Sequence, residues 1–108
     1  MNEPFKPDDI DAVIHERVRL AIVAALAVSA ELSFNELKSM LDLTDGNLSA
    51  HSRTLDAAGY IVVEKTYRGR KPYTAMRLTS KGRRAFSRYL ETLRQIVRHG
   101  DATTDNTS

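Results

Sequence analysis

Two helix-start signals stand eleven residues apart, and with a glycine further on they leave room for little except two short helices joined by a tight turn. Ser33 followed three residues later by Glu36 forms a capping box, with Leu32 and Leu37 as the hydrophobic staple around it. Thr44 can cap again, and Leu43 with Leu48 repeats the staple. The earlier helix should therefore span about Phe34 to Leu41. The later one should end at Gly59, which can take the left-handed conformation that closes a helix, before Tyr60, Ile61, Val62 and Val63 switch to strand-forming residues.

This layout is that of a helix-turn-helix, whose second helix lies in the major groove of DNA. At about 100° per residue, Leu48, His51 and Leu55 point inward, whereas Gly46, Asn47, Ala50, Arg53, Thr54 and Ala57 point outward. A small, polar outer face suits close approach to base edges. Asn47 can bond adenine in bidentate fashion, Arg53 can reach guanine or a phosphate, and alanine or threonine can touch a thymine methyl. Asn47 has a second reading as a first-turn capping residue. His51 can support the helix packing or a phosphate. With Thr44 and Ser49, these positions form the candidate recognition surface: Thr44, Gly46, Asn47, Ser49, Ala50, His51, Arg53 and Thr54.

Charge points the same way. Residues 65–88 hold nine basic side chains and no acidic one, while the whole chain has a formal charge of +2, so the remainder carries −7. A field focused in this way attracts a polyanion. Within it, Tyr60 to Thr66 and Thr74 to Thr79 read as antiparallel strands, joined by a seven-residue loop from Tyr67 to Tyr73. Gly69 permits a sharp turn, and Pro72 cannot donate to a ladder and so marks the loop edge. Lys65, Arg68, Gly69, Arg70 and Lys71 are the candidate wing contacts, entering a minor groove or clamping phosphates.

The flanking segments complete one domain, from residue 8 to 99. Ile10, Ile14, Val18, Ile22, Ala25 and Leu26 fall on one stripe and predict a first helix over Asp8 to Val28, with a break near His15 allowed and the acidic start favoured by the helix dipole. A final helix over about Ser80 to His99 spaces Ala85, Phe86, Tyr89, Leu90, Leu93, Ile96 and Val97 at threes and fours. That stripe outlasts the core a small domain can offer. Ile10, Ile14, Phe86, Tyr89, Leu90, Leu93, Ile96 and Val97 are therefore expected at an interface between two copies of the chain; the plainer reading folds the helix back over its own first helix. Residues 1–7 and 100–108 are expected to be disordered tails.

From Thr44 onward the motifs become specific. T-D-G-N-L-S-x-H at Thr44 to His51, L-x-x-A-G-Y at Leu55 to Tyr60, G-R-K-P at Gly69 to Pro72 and L-T-x-x-G-R-x-A-F at Leu78 to Phe86 resemble the small stand-alone winged helix-turn-helix transcriptional regulators related to the MarR and ArsR groups. The resemblance covers roughly Ile10 to Leu93. It implies a homodimer that binds a pseudo-palindromic operator and usually represses transcription. One position departs from it: Ser52 stands where the family pattern has leucine. A serine there loses packing and can bond back to the carbonyl of Leu48.

The expected fold class is mainly α with a small β-hairpin wing, terminal helices forming the dimer interface. The partners are double-stranded DNA and a second copy of the chain. A protein-interaction module whose basic wing binds an acidic chain is the rival, with RNA binding a weaker third. Catalysis has little support: His15, His51 and His99 lack metal-ligand spacing, no phosphate-binding glycine loop is present, and the chain has no cysteine. No metal or cofactor is expected, and nothing assigns a small-molecule effector. The longest apolar run, Leu20 to Val28, is too short to span a bilayer and the N-terminus lacks a basic leader, so a cytoplasmic location is expected without membrane partners.

Overall fold

The computed structural model describes residues 5–105. A 3-10 turn at Pro7–Asp9 is followed by α1 (Arg17–Ala27), β1 (Leu32–Ser33), α2 (Phe34–Met40), α3 (Asp45–Ala57), β2 (Ile61–Arg68), β3 (Lys71–Leu78) and α4 (Ser80–Asp105). Three helices pack on a small antiparallel sheet of order β1-β3-β2, and α4 leaves this body along its length. The result is a winged helix, the class expected from the sequence.

The capping signals are realised as local chemistry. Ser33 Oγ accepts from the Glu36 amide at 2.9 Å while Glu36 Oε1 accepts from the Ser33 amide at 2.8 Å. Thr44 Oγ1 accepts from the Asn47 amide at 3.1 Å. Asp42, at φ 53°, turns the chain between the two helices, and Gly59, at φ 79°, closes α3. These bonds fix where α2 and α3 begin and hence the angle between them. Leu37, Leu48 and Leu55 then join Ile22, Val23, Leu26, Ile61 and Met76 in the main core, each such burial contributing about 1.5–3 kcal/mol.

The first helix is shorter than the stripe suggested, because two caps interrupt it. Asp11 Oδ1 accepts from the amides of Val13 and Ile14, while Glu16 Oε1 accepts from those of Val18 and Arg19. Side-chain acceptors placed this closely compete with the helical ladder, so the chain bends near His15 and α1 starts at Arg17. The bend sends Ile14 to a second, smaller core with Ala85 and Tyr89 on α4.

The hairpin is longer, and its loop tighter, than the expected seven residues. Arg68 pairs with Lys71, so only Gly69 and Arg70 form the turn. Gly69 lies at φ 67° and Arg70 keeps a negative φ, the pattern of a type II′ turn, which requires glycine first. Pro72 therefore sits within β3, opposite Tyr67. In a two-residue hairpin the pair next to the turn is hydrogen-bonded and the following pair is not, so Pro72 has no ladder bond to β2 to supply. Its other edge is open, since β1 reaches only Ala75 and Met76.

At the other end, α4 continues through Asp105, into the segment expected as a tail. Residues 1–4 and 106–108 of the expected tails lie outside the described residues. Gly82, in the first turn of α4, packs where a side chain would not fit: a Cβ there would lie 2.2 Å from the Tyr60 carbonyl oxygen.

Candidate nucleic-acid interface

The recognition surface begins with how α3 is held. Its inner face is Leu48, Ser52 and Leu55, all buried, and its outer face is Gly46, Asn47, Ala50, Arg53, Thr54 and Ala57, all exposed. The outer face is the one the helical period predicts; on the inner side Leu48 and Leu55 are buried as expected, Ser52 joins them, and His51 is only half-buried. Lys38 Nζ reaches Asp45 Oδ1 at 2.8 Å, tying the end of α2 to the start of α3. Thr54 Oγ1 donates back to the Ala50 carbonyl at 3.3 Å, so its methyl is the part left to meet a partner. Thr44 is exposed and Ser49 half-buried.

His51 lies to one side of this face, its side chain 24 % exposed. Arg19 Nη1 stands 3.2 Å from His51 Nδ1. Glu16 Oε1 lies 3.6 Å from the same nitrogen. Arg19 Nε also donates to the Val13 carbonyl at 2.6 Å. The cluster joins the start of α1 to the middle of α3 and supports the packing role for His51. Sequence inspection missed Glu16 and Arg19, which no motif marks and which lie 35 and 32 residues upstream of His51. Hydrogen bonding, chiefly from the Arg19 amide, holds the Glu16 carboxyl below its ordinary value of 4.5.

Ser52 is buried, 5 % exposed. The expected bond to the Leu48 carbonyl is not made: Ser52 Oγ is buried without a hydrogen-bond partner among the described residues. Leaving a hydroxyl in that state costs about 1–3 kcal/mol.

The wing separates the basic residues into two groups. Lys65, Arg70 and Lys71 are exposed, and no ion pair among the described residues involves them. Arg68 is held, its guanidinium 4.0 Å from the centre of the Tyr73 ring and Nη2 3.6 Å from Glu31 Oε2. The cation–π contact joins the two strands of the wing, and the ion pair with Glu31 ties the wing to the body. Arg77 pairs with Glu64 at 3.2 Å. On α4, Lys81 lies over the Tyr60 ring and Arg83 donates to the Ala27 carbonyl. The basic run is continuous in sequence but divided between wing and helix start, and only its first part flanks α3.

The residues expected at a dimer interface also divide. Ile14 and Tyr89 are buried within their own chain, at 0 % and 2 % exposure, so they have no surface left for a second copy. Ile10, Phe86 and Leu93 pack in part against the same small core. Ile96 is half-buried, and Leu90, Leu93 and Val97 line a shallow apolar groove beside Arg94 and Arg98. Spacing alone puts Tyr89 on the interface; the bend near His15, which brings Ile14 and the His15 ring onto it, explains its burial. Tyr89 OH lies 2.9 Å from His15 Nδ1.

Among the described residues no group of three His, Cys, Asp or Glu could hold a metal ion, and no helix is long and apolar enough to cross a membrane.

A capped pair of helices, an exposed polar face on the second and a basic hairpin beside it define a winged helix-turn-helix. The chain belongs to the winged helix DNA-binding domain family, which it matches over residues 18–97. An uncharacterized protein of Methanocaldococcus jannaschii is 33% identical over 87 residues, 81% of this chain and 95% of that protein. A transcriptional regulator homologue from Pyrococcus horikoshii OT3 superposes with a TM-score of 0.79 at 30% identity, over 82% of this chain and 88% of the other. NadR in complex with 4-hydroxyphenylacetate shares the fold, with a TM-score of 0.64 at 19% identity over 94% of this chain and 69% of the other. An ArsR family transcriptional regulator shares it at 0.55 and 15% identity, over 90% and 95%.

Proposed function

We propose that this protein is a transcriptional regulator that binds a pseudo-palindromic operator as a homodimer and represses from it, in the cytoplasm. The observation carrying this reading is the outer face of α3, small, polar and wholly exposed, set beside a wing whose Lys65, Arg70 and Lys71 have no ion-pair partner among the described residues. Asn47 and Arg53 read base edges in the major groove, with Thr44, Gly46, Ser49, Ala50 and Thr54 allowing close approach. The wing holds phosphates or the minor groove. Its tip can do so because the tight turn puts Arg70 and Lys71 at the far end of a stiff hairpin instead of in a floppy loop.

Geometry and need both support the homodimer. One short recognition helix buries too little DNA to select an operator alone. The groove of Leu90, Leu93 and Val97 lies on the part of α4 that runs past the core, and Val97 is 58 % exposed. A second α4 related by a two-fold axis would cover it and would set the recognition helices about one helical turn, ~10 base pairs, apart.

Retention of mixed genomic fragments on a filter at two salt concentrations, followed by sequencing of what is bound, tests the proposal. A dimer neutralising about 6–10 phosphates should lose ~10³–10⁵ in affinity between 50 and 200 mM salt. The retained fragments should share an inverted repeat. Retention without sequence preference, or none at all, would favour a protein-interaction module.

A further inference from the structure

The two faces of the wing are chemically unlike, and the difference singles out a residue that neither the basic run nor the helix motif marks. Side chains alternate across a strand, so Ile61, Val63, Lys65 and Tyr67 share one face of β2, with Leu78, Met76, Thr74 and Pro72 as their cross-strand partners. This face begins in the core, and further out Val63, Lys65 and Thr74 line one cleft with Ser49 and Arg53 of α3. Val62, Glu64, Thr66 and Arg68 take the other face, paired with Arg77, Ala75, Tyr73 and Lys71. There the charges are already engaged: Glu64 with Arg77, and Arg68 with the Tyr73 ring and Glu31. Glu64 also sets a negative charge where a phosphate chain would have to approach. Only Lys71, beside the turn, is a cation on that face without an ion pair among the described residues.

The face towards α3 ends in Tyr67, which is 70 % exposed. The other tyrosines have partners: Tyr60 donates to Asp11, Tyr89 OH meets His15 at 2.9 Å, and Tyr73 lies under Arg68. No hydrogen bond or ion pair among the described residues involves Tyr67. Pro72 stands directly opposite it, at a pair where the ladder makes no bond and side chains come closest. The fold thus leaves the hydroxyl unused and most of the ring bare. An amphipathic ring held out on a stiff hairpin suits a surface that is apolar at one point and polar at the next, which is what a deoxyribose and its phosphate offer.

We propose that Tyr67 is a DNA-backbone contact of the wing, its ring against a deoxyribose and its hydroxyl donating to the adjoining phosphate, beside Lys65 on the same strand face. Arg68, which the sequence puts among the contacts, is instead a positioning residue that holds the hairpin from the opposite face. This rests on the DNA-binding reading and adds to it a contact without charge. Such a contact has a signature that a basic residue lacks. A phenol bonded to a phosphate adds affinity on every sequence, but it neutralises no charge and releases no counterion, so the salt dependence is left as it was.

The test is binding of the whole chain to a mixed-sequence duplex of ~30 base pairs, about three helical turns, across about 50 to 200 mM salt. Tyr67→Phe should bind about tenfold more weakly per wing at each salt concentration, its log-log line parallel to that of the wild type. Tyr67→Thr keeps a strand-forming residue and removes the ring; it should lose more, again in parallel. Lys65→Ala, the charged comparison, should flatten the line by about 0.9 per wing, whereas Arg68→Ala should not flatten it. With fluorotyrosine in place of tyrosine, the fluorine signal that Tyr67→Phe removes should move when the duplex is added, while that of buried Tyr89 stays.

Wild-type affinity in Tyr67→Phe would overturn the proposal, whatever Tyr67→Thr does to the hairpin, and so would a Tyr67 fluorine signal that ignores DNA. A flatter line for Arg68→Ala would put the opposite face of the wing on the duplex and overturn it equally. If the wild type does not bind the duplex at all, the DNA-binding reading has failed and this contact falls with it. If the wild type binds and Tyr67→Phe binds as well, only the contact is lost.

Discussion

The two ends of this molecule treat an apolar stripe in opposite ways. On α3, Leu48 and Leu55 are wholly buried against helices and sheet of the same chain, and everything the helix shows outside is small or polar. On α4, the stripe starts under the same rule, with Ala85 and Tyr89 covered by Ile14, but then runs on past its cover. The helix is 26 residues, about 39 Å at 1.5 Å per residue, in a molecule 62 Å in its longest dimension and 26 Å in the next. Leu90, Leu93 and Val97 line a groove on its surface. The difference teaches that one half of the domain is finished by its own sequence, while the other leaves an apolar groove for the proposed second copy to cover.

The sharpest way to break this comparison is to damage each half separately. Leu48→Ala removes side-chain volume from a site with 0 % exposure and should cost ~2–5 kcal/mol, enough to unfold much of the domain and to abolish DNA retention together with helical circular dichroism. Leu90→Asp with Val97→Asp should do the reverse: native thermal unfolding of a monomer, but a dimer constant weakened by ~100-fold or more, because two like charges per chain would be buried at a self-complementary surface. Sedimentation velocity decides it. A double variant that remains dimeric, or a wild type already monomeric at micromolar concentration, would mean that the groove is only surface.

A smaller effect probes the joint between the halves. Gly82→Ala would press a methyl to 2.2 Å from the Tyr60 carbonyl and 2.9 Å from Leu78, which should push α4 off the sheet and cost ~1–3 kcal/mol of thermal stability. Dimerisation, further along α4, should be retained. If Gly82→Ala melts with the wild type, the close approach is relaxed easily and the two halves are more independent than described.

The least effect is expected from protons. The Ser33 amide's bond to Glu36, and the Arg19 amide's bond to Glu16, hold both carboxyls below 4.5 when folded. The folded state thus favours the ionised forms, so their contribution is complete above about pH 4.5 and is lost as pH falls through the folded-state values. Unfolding temperatures should decline there, less steeply in Glu36→Gln. At the alkaline end, burial and then the hydrogen bond to Asp11 push Tyr60 up to about 12. The stability it adds is full below the ordinary tyrosine value of 10 and fades towards 12; ultraviolet titration of wild type against Tyr60→Phe would show one late-ionising phenol.

What was legible in the sequence was whatever local chemistry decides. Ser33, Glu36 and Thr44 cap helices by bonds that span three residues, and Gly59 ends one by its own conformation, so α2 and α3 could be placed to within a residue or so at each end. The exposed face of α3, and the burial of Leu48 and Leu55, followed from the helical period alone. Tertiary structure decided the rest. β1 is two residues long and exists only because Leu32 and Ser33 find Met76 and Ala75. The turn at Gly69 tightened because register across the hairpin extended both strands beyond their propensity. Ile14 and Tyr89 left the outer stripe because a bend made by Asp11 and Glu16 brought distant segments together. Ser52 lost its expected backbone bond and is buried with its hydroxyl unpartnered among the described residues, against elements that no local pattern connects to α3. Bonds over three or four residues are written in neighbouring letters; contacts over thirty or seventy are selected by packing among all the elements at once.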